Sequence, residues 1–290
     1  MGTGTVTVLG ATGKTGRAVA AAALRAGLSV RGTSRRSHPV RHPDGRAAAP
    51  TDLPDGVERF VVDPVTGDGL EAALAGADAA YLLVPNVHPA EVDVVARAAR
   101  VATEVGVGRV VYHSVADPDD ARMAHHVRKG RAERELREVR PDAVVLRPCA
   151  YQQNLLGAAL AGRIEVPYRI TAPFSLVDLA DVAEVAATAL AGGLEAGSTS
   201  VLAGPAELTV ADLAEGAARV LGRPVTATTT TVGQWRAGPG AGLDERAAEE
   251  LTAMFRAYDE SGFRADPAPL TRLLGRAPTT WAALLRRHIR

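Results

Sequence analysis

Thr5-Val6-Thr7-Val8-Leu9 runs directly into Gly10-Ala11-Thr12-Gly13-Lys14-Thr15-Gly16, and an Ala-rich stretch carries on to Arg25. The β-branched run favours an extended strand, and the alanines favour a helix from Lys14 to Arg25. Between them the glycines fall at a G-x-x-G-x-x-G spacing, strand before and helix after. Each glycine has a physical use there: Gly10 permits a tight turn, Gly13 lets backbone approach a pyrophosphate, and Gly16 lets the helix pack closely on the strand. The helix start adds N–H groups and the positive end of a dipole, both suited to an anion. A bare glycine pattern also fits a loop that binds nothing. Its place at the first strand-to-helix turn is what favours a dinucleotide, with Gly10, Thr12, Gly13, Lys14, Thr15 and Gly16 as its contacts.

Outward from this turn the alternation continues. Strand-like runs fall at 28–34, 58–63, 79–84, 109–114 and 143–146, with helical stretches at 69–75, 90–105 and 121–139 between them. Strands alternating with helices imply right-handed crossovers, so the expected fold is α/β: a doubly wound parallel Rossmann sheet with a second, smaller α/β C-terminal lobe. The expected domains are 1–150, with a return segment at 174–203, and a smaller lobe from 151–173 and 204–290. Helices are expected in that lobe at 208–221, 244–258 and 280–289, with a Thr-rich strand at 225–232. The Pro/Arg/Ala stretch 37–55 reads as a surface excursion.

Composition narrows the partners. Lys+Arg and Asp+Glu balance at 33 each, which gives no electrostatic footprint for nucleic acid or an anionic membrane, and a small molecule is the expected partner. At 47% hydrophobic and 23% charged the chain is ordinary globular material. Cys149 is the sole cysteine, so no internal disulfide can form, and with no export or spanning segment in sight the expected location is the cytoplasm. No metal-binding spacing is present, and a homodimer is left open.

Coenzyme choice is read from the second strand's end. An NAD-type site carries an acidic residue there, roughly 20 positions after the glycines, on the ribose 2′-hydroxyl. This chain has Thr33-Ser34-Arg35-Arg36 instead. Ser34 and two guanidiniums suit a 2′-phosphate, so NADP(H) is the expected cofactor, although Arg35 and Arg36 also fit a solvated surface pair. Asp63 is read evenly as an acceptor for the adenine amino group or as an Asp-Pro turn. Val84, Pro85 and Asn86 end the fourth strand, where such sheets hold their ligands, and Pro85 serves equally as a strand terminator.

The fifth strand ends in His113-Ser114. The next helix carries His125-His126-Val127-Arg128-Lys129, with Glu133 one turn further, and Leu146-Arg147-Pro148 leads on to Asn154. In this order, after Gly10 to Gly16, these residues resemble the NmrA-like family of atypical short-chain dehydrogenases. The resemblance covers nearly the whole chain and is weaker after Gly233. It implies a small C-terminal lobe closing over the nicotinamide end of NADP(H), and members that are either reductases or redox sensors. The wider superfamily uses a Tyr-x-x-x-Lys pair, and here the Tyr position is His125 while Lys129 fits the lysine. That departure removes the usual acid.

Lys129 is thus expected to hold the nicotinamide ribose, and His125 or His126 to protonate a reduced substrate, unless each histidine is only a polar helix-surface residue. Ser114 suits a nicotinamide amide or a substrate oxygen, or a structural cap. Tyr112 reads as core, Cys149 as a small buried residue, and Trp235 and Trp281 as packing anchors. Tyr151, Gln152 and Asn154 are candidates to face the cleft, with Tyr151 and Asn154 as the substrate contacts. The expected function is an NADPH-dependent reductase of an activated small-molecule acceptor such as a quinone, enone or imine. A non-catalytic NADP(H) sensor and a redox-neutral isomerase or cyclase of a biosynthetic pathway are the alternatives.

Overall fold

The computed structural model describes residues 4–35 and 53–289. In chain order the elements are β1 (Thr5–Val8), α1 (Lys14–Arg25), β2 (Ser29–Ser34), β3 (Glu58–Val61), α2 (Leu70–Leu74), β4 (Ala79–Leu82), α3 (Glu91–Glu104), β5 (Arg109–His113), α4 (Ala124–Val139), β6 (Val144–Pro148) and α5 (Gln153–Ala161). There follow β7 (Arg163–Val166), α6 (Leu179–Leu190), β8 (Thr199–Leu202), α7 (Val210–Leu221), β9 (Thr226–Thr229), α8 (Val232–Ala237), α9 (Glu245–Ser261), α10 (Ala268–Leu274) and α11 (Trp281–His288). The chain divides into two compact units, the first made of Met1–Ser114, Arg128–Leu146 and Val182–Thr199, the second of Val115–Val127, Arg147–Asp181 and Ser200–Arg290.

The main sheet has seven strands in the order β3-β2-β1-β4-β5-β6-β8. From β3 to β6 every neighbouring pair is parallel, with Val6 opposite Val30 on one side and opposite Ala79 on the other. This is the doubly wound α/β Rossmann arrangement. The chain builds outward from β1 to β3, then returns to β4 and builds the other way, so the order reverses between β1 and β4. Ligands of such sheets bind beyond the carboxyl ends of the strands at that reversal.

Small side chains let the layers close. Ala73, Ala98, Ala99 and Ala102 are buried with Leu74, Leu82, Val95, Val110, Tyr112 and Leu136 in one core. Each fully buried Leu or Val side chain contributes roughly 1.5–3 kcal/mol. Gly32 marks a closer approach: a Cβ there would stand 2.7 to 2.9 Å from Val57, Leu53 and Ala11.

The second unit carries a two-stranded parallel sheet of β7 and β9. Although aromatics are only 4% of the chain, this unit gathers Tyr168, Phe174, Phe255, Tyr258 and Phe263 into one run of ring contacts. Trp235 packs edge-on against Phe255, and the Trp281 indole donates to the Leu213 carbonyl at 2.9 Å. Both tryptophans therefore anchor packing.

Two local expectations change. The Thr-rich strand stops at Thr229 instead of Val232, because Thr231 caps α8: its Oγ1 accepts from Gln234 N, and the Gln234 side chain takes the Thr231 N–H in return. Helix α4 starts at Ala124, since Asp120 and Arg122 close a turn ahead of it through Asp120 Oδ1. Among the described residues no helix is long and apolar enough to cross a membrane.

Candidate functional site

At the carboxyl end of β1, Gly10 has φ +68° and its carbonyl accepts from Gly13 N at 3.0 Å, which makes the tight turn. A Cβ on Gly16 would lie 2.2 Å from the Gly10 carbonyl oxygen and 2.8 Å from Ala11 Cα, so α1 meets the turn in a way only glycine permits. Gly13 is the N-cap of α1, in extended conformation, and has no side chain to bond the first-turn amides; no acidic residue stands in that turn. Thr12 and Thr15 are half-buried beside it, and Lys14 is exposed. The loop is fastened to the next strand by Gly10 N, which donates to Thr33 Oγ1 at 3.1 Å.

Ser34 is buried at the end of β2, and its Oγ accepts from Arg59 Nη1 at 3.1 Å. Arg35 follows, exposed, while Arg36 lies outside the described residues. Asp63 is exposed, and its Oδ1 accepts from Val65 N at 2.8 Å and Thr66 N at 3.2 Å, which is the bonding of a turn. Those two N–H groups hold its carboxyl below the usual range, and the charges of Arg35 and Arg97 add to them. Beyond β4, Val84 is buried and Pro85 and Asn86 are exposed. The next residue, Val87, is buried at φ +52°, a conformation rare for a β-branched side chain.

A buried polar network occupies the carboxyl end of β5 in the first unit. Lys129 Nζ donates to Glu91 Oε1 at 2.5 Å and towards the His113 carbonyl at 3.4 Å. Its ammonium lies 5.7 Å from the centre of the Tyr112 ring. The Tyr112 hydroxyl donates to the same Glu91 Oε1 at 2.9 Å. Glu91 is the first residue of α3 and fully buried, where the helix dipole favours its charge. Burial, then the Glu91 charge, pushes the Tyr112 phenol well above its ordinary range. On the same face the Ser114 hydroxyl donates to Glu133 Oε1. On the opposite face His113 Nδ1 meets the Tyr81 hydroxyl at 2.5 Å. Burial, helped by the charge of Lys129, drives the His113 imidazole down to about 3, so it stays neutral at physiological pH.

In the second unit His125 and His126 are both buried, so neither is the helix-surface residue that the alternative reading described. Their rings meet edge-on at 4.6 Å; His126 Nδ1 lies 3.1 Å from the Asp117 carbonyl, and its ring packs against Phe263. Gln152 is buried, with Nε2 donating to the carbonyls of Leu176 and Thr279, a structural role. Tyr151 is half-buried and Asn154 exposed. Cys149 is buried, and burial pushes its thiol up to about 12.

The fold thus places Lys129 with Glu91 and Tyr112 in one hydrogen-bonded cluster of the first unit, Ser114 with Glu133 in a second pair there, and His125 and His126 in a ring pair of the second. Glu91, Tyr81 and Arg59 were not singled out from sequence. An acidic residue opening a helix reads only as a dipole complement, and Arg59 is one arginine in an arginine-rich chain. Strand register is what brings it beside Ser34.

Residues 2–277 match the NmrA-like family. A reductase of (4-alkanoyl-5-oxo-2,5-dihydrofuran-3-yl)methyl phosphate from Streptomyces griseus subsp. griseus is 33% identical over 229 residues, 76% of this chain and 75% of that protein. Among solved structures, the NADPH-dependent quinone oxidoreductase QOR2 of Escherichia coli, complexed with NADPH, superposes with a TM-score of 0.78 at 20% identity over 98% of this chain and 100% of its own. NmrA, a negative transcriptional regulator in complex with NAD, gives a TM-score of 0.75 at 15% identity over 99% of this chain and 95% of its own.

Proposed function

Since the chain belongs to the NmrA-like family, we propose that it is an NADPH-dependent reductase of carbon–carbon double bonds conjugated to carbonyl groups. The 33% identical relative supports the reaction class, because the acceptor in its name is a ring alkene flanked by two carbonyls. Reduction at such an alkene leaves an enolate spread over two oxygens, an anion stable enough to need little help from an acid.

The observation that carries the reading is the state of Tyr112. The phenol beside Lys129 donates a hydrogen bond to buried Glu91 and is held far from ionisation, while the position of the usual catalytic tyrosine is His125. A plain ketone needs an acid at its oxygen. A doubly activated alkene does not.

The residues present fit the cofactor: a turn that only glycine can make at Gly16 and a hydroxyl with guanidiniums at Ser34, Arg35 and Arg59. Gly10 to Gly16 and the first turn of α1 would hold the pyrophosphate, with Thr12, Lys14 and Thr15 around it, and Ser34, Arg35, Arg36 and Arg59 would hold the 2′-phosphate. Bound NADPH supplies hydride. Asp63, Val84, Pro85 and Asn86 stand as further contacts at the sheet's carboxyl edge. The Lys129 ammonium stands by the His113 carbonyl at the end of β5, where we place the developing negative charge, and the Ser114 hydroxyl donates to Glu133. Tyr151 and Asn154 are assigned to acceptor recognition, and His125 or His126 to any proton that is needed.

The test is NADPH oxidation by the purified protein, followed by absorbance, with an acyl butenolide, a simple enone, a quinone, an imine and a plain ketone. Turnover is expected with the butenolide and enone and not with the ketone. A ketone reduced as fast as the enone sinks the reading. NADPH binding with no turnover of any acceptor favours the second reading, a cofactor-binding regulator, which the near-complete burial of Lys129 supports.

A further inference from the structure

Glu91 enters the function proposed above only as the partner of the Tyr112 hydroxyl, yet its setting is unusual. It is wholly buried, and Oε1 alone receives both the Lys129 ammonium at 2.5 Å and the Tyr112 hydroxyl at 2.9 Å. Oε2 is buried with no hydrogen-bond partner. A buried carboxylate with one oxygen unsatisfied needs a fixed cation, and the cation beside it is the lysine assigned to the ribose. An ammonium has three N–H donors. One goes to Glu91 and a second points at the His113 carbonyl, which leaves the third for a ligand hydroxyl.

We infer that Glu91 is the positioning residue of Lys129: with Tyr112 as a second donor on the same oxygen, it fixes the ammonium at the end of β5 in the orientation that meets the nicotinamide ribose. The inference rests on the role given to Lys129 in the proposed function. The groups facing Lys129 are Glu91 from α3 and Tyr112 and His113 from β5, while Glu133 from α4 adds its charge at Tyr112. Of these, His113 is neutral, Tyr112 keeps its proton, and Glu91 is the carboxylate in contact with Nζ. Replacing that carboxylate by an amide of the same shape leaves the ammonium buried without a counter-charge. Burial then favours the neutral amine as pH rises. The amine still fills the space but donates more weakly, so ribose binding weakens with pH in a manner that shape alone would not produce.

The experiment is NADPH affinity by fluorescence titration at pH 7, 8 and 9 for the wild type, Glu91→Gln, Lys129→Ala, the double variant and Tyr112→Phe, each first checked for folding by circular dichroism. Glu91→Gln is expected to lose affinity progressively, roughly tenfold more at pH 9 than at pH 7, relative to the wild type. In the Lys129→Ala background the same change is expected to add nothing. If Glu91→Gln does not fold, Tyr112→Phe carries the test: Glu91 loses its second donor but keeps its charge, so a smaller loss of affinity without the pH trend is expected, and it should vanish in the Lys129→Ala background; wild-type affinity in Tyr112→Phe overturns the inference. Wild-type affinity and pH profile in Glu91→Gln, a stability loss with no change in binding, or losses that add to those of Lys129→Ala overturn the inference. A wild type that binds no NADPH overturns the proposed function first, and one that binds without turning over leaves this binding test intact.

Discussion

The Arg59 guanidinium reaches across from β3 to the last side chain of β2, with Nη1 3.1 Å from Ser34 Oγ. Exposed Arg35 follows Ser34 in sequence, so under the proposed function the end of β2 offers a hydroxyl and two guanidiniums to a 2′-phosphate. Each charge-assisted bond to a 2′-phosphate is worth about 1.5–3 kcal/mol. Arg35→Ala and Arg59→Ala should each weaken NADPH by roughly tenfold to a hundredfold and leave NADH nearly unchanged, by calorimetric titration. Equal losses for both coenzymes would remove the 2′-phosphate role.

Gly16→Ala should damage the first unit. The added methyl would sit 2.2 Å from the Gly10 carbonyl oxygen, and backbone on both sides leaves nothing flexible to yield. Overpacking of this kind costs about 1–3 kcal/mol or more. A lower urea midpoint together with lost NADPH binding is expected. Gly13→Ala, whose Cβ would lie 3.4 Å from the Gly10 oxygen, should fold far better.

His113 gives the protein a specific acid sensitivity. In the unfolded chain its imidazole takes up a proton near 6.5, whereas in the buried site it resists down to about 3. Across that window the unfolded state binds more protons, so stability falls as pH falls from 6.5 towards 3, by up to about 1.4 kcal/mol per pH unit. Urea unfolding at pH 7, 6 and 5 should show this slope. His113→Asn, which keeps an acceptor for Tyr81, should flatten it; an unchanged slope would assign the effect elsewhere.

Lys129 should matter to folding as well as to the proposed turnover. Removing one member of a buried ion pair leaves the other uncompensated, typically about 3–5 kcal/mol. Lys129→Met should therefore lower stability by that order, and adding Glu91→Gln should recover much of it without restoring activity. A double variant as unstable as the two losses summed would show that the pair is not coupled.

The Cys149 thiol should be inert in the native protein. It is 3% exposed and its ionisation is pushed up to about 12, so little thiolate forms near neutrality. Reaction with an aromatic disulfide is expected only at the rate of unfolding. A fast native reaction would mean that the segment opens locally.

Much of the first unit could be read from sequence because its signals are local. Gly10 and Gly16 announce the turn, β-branched runs mark strands, and the spacing singles out Lys129 on the helix after β5. The network at β5 was only half legible. Ser114 and Lys129 lie within reach of a motif, but Glu91 arrives from another helix, 38 positions from Lys129. No local pattern joins two such residues. Tyr112 was correctly read as core, and burial hid the fact that its hydroxyl has work to do. In the second unit, single polar residues in capping positions set the boundaries, so the Thr-rich run was read as strand where Thr231 starts a helix.

The Tyr112 hydroxyl, already committed to Glu91, also bears on how acceptors would compete. A protein that offers no strong proton to the developing enolate charge cannot rescue a sluggish electrophile. Relative rates across a homologous series should then follow electron-withdrawing substituents, in a linear free-energy relation steeper than that of a tyrosine-bearing dehydrogenase, and alkyl chain length should rank as the weaker influence.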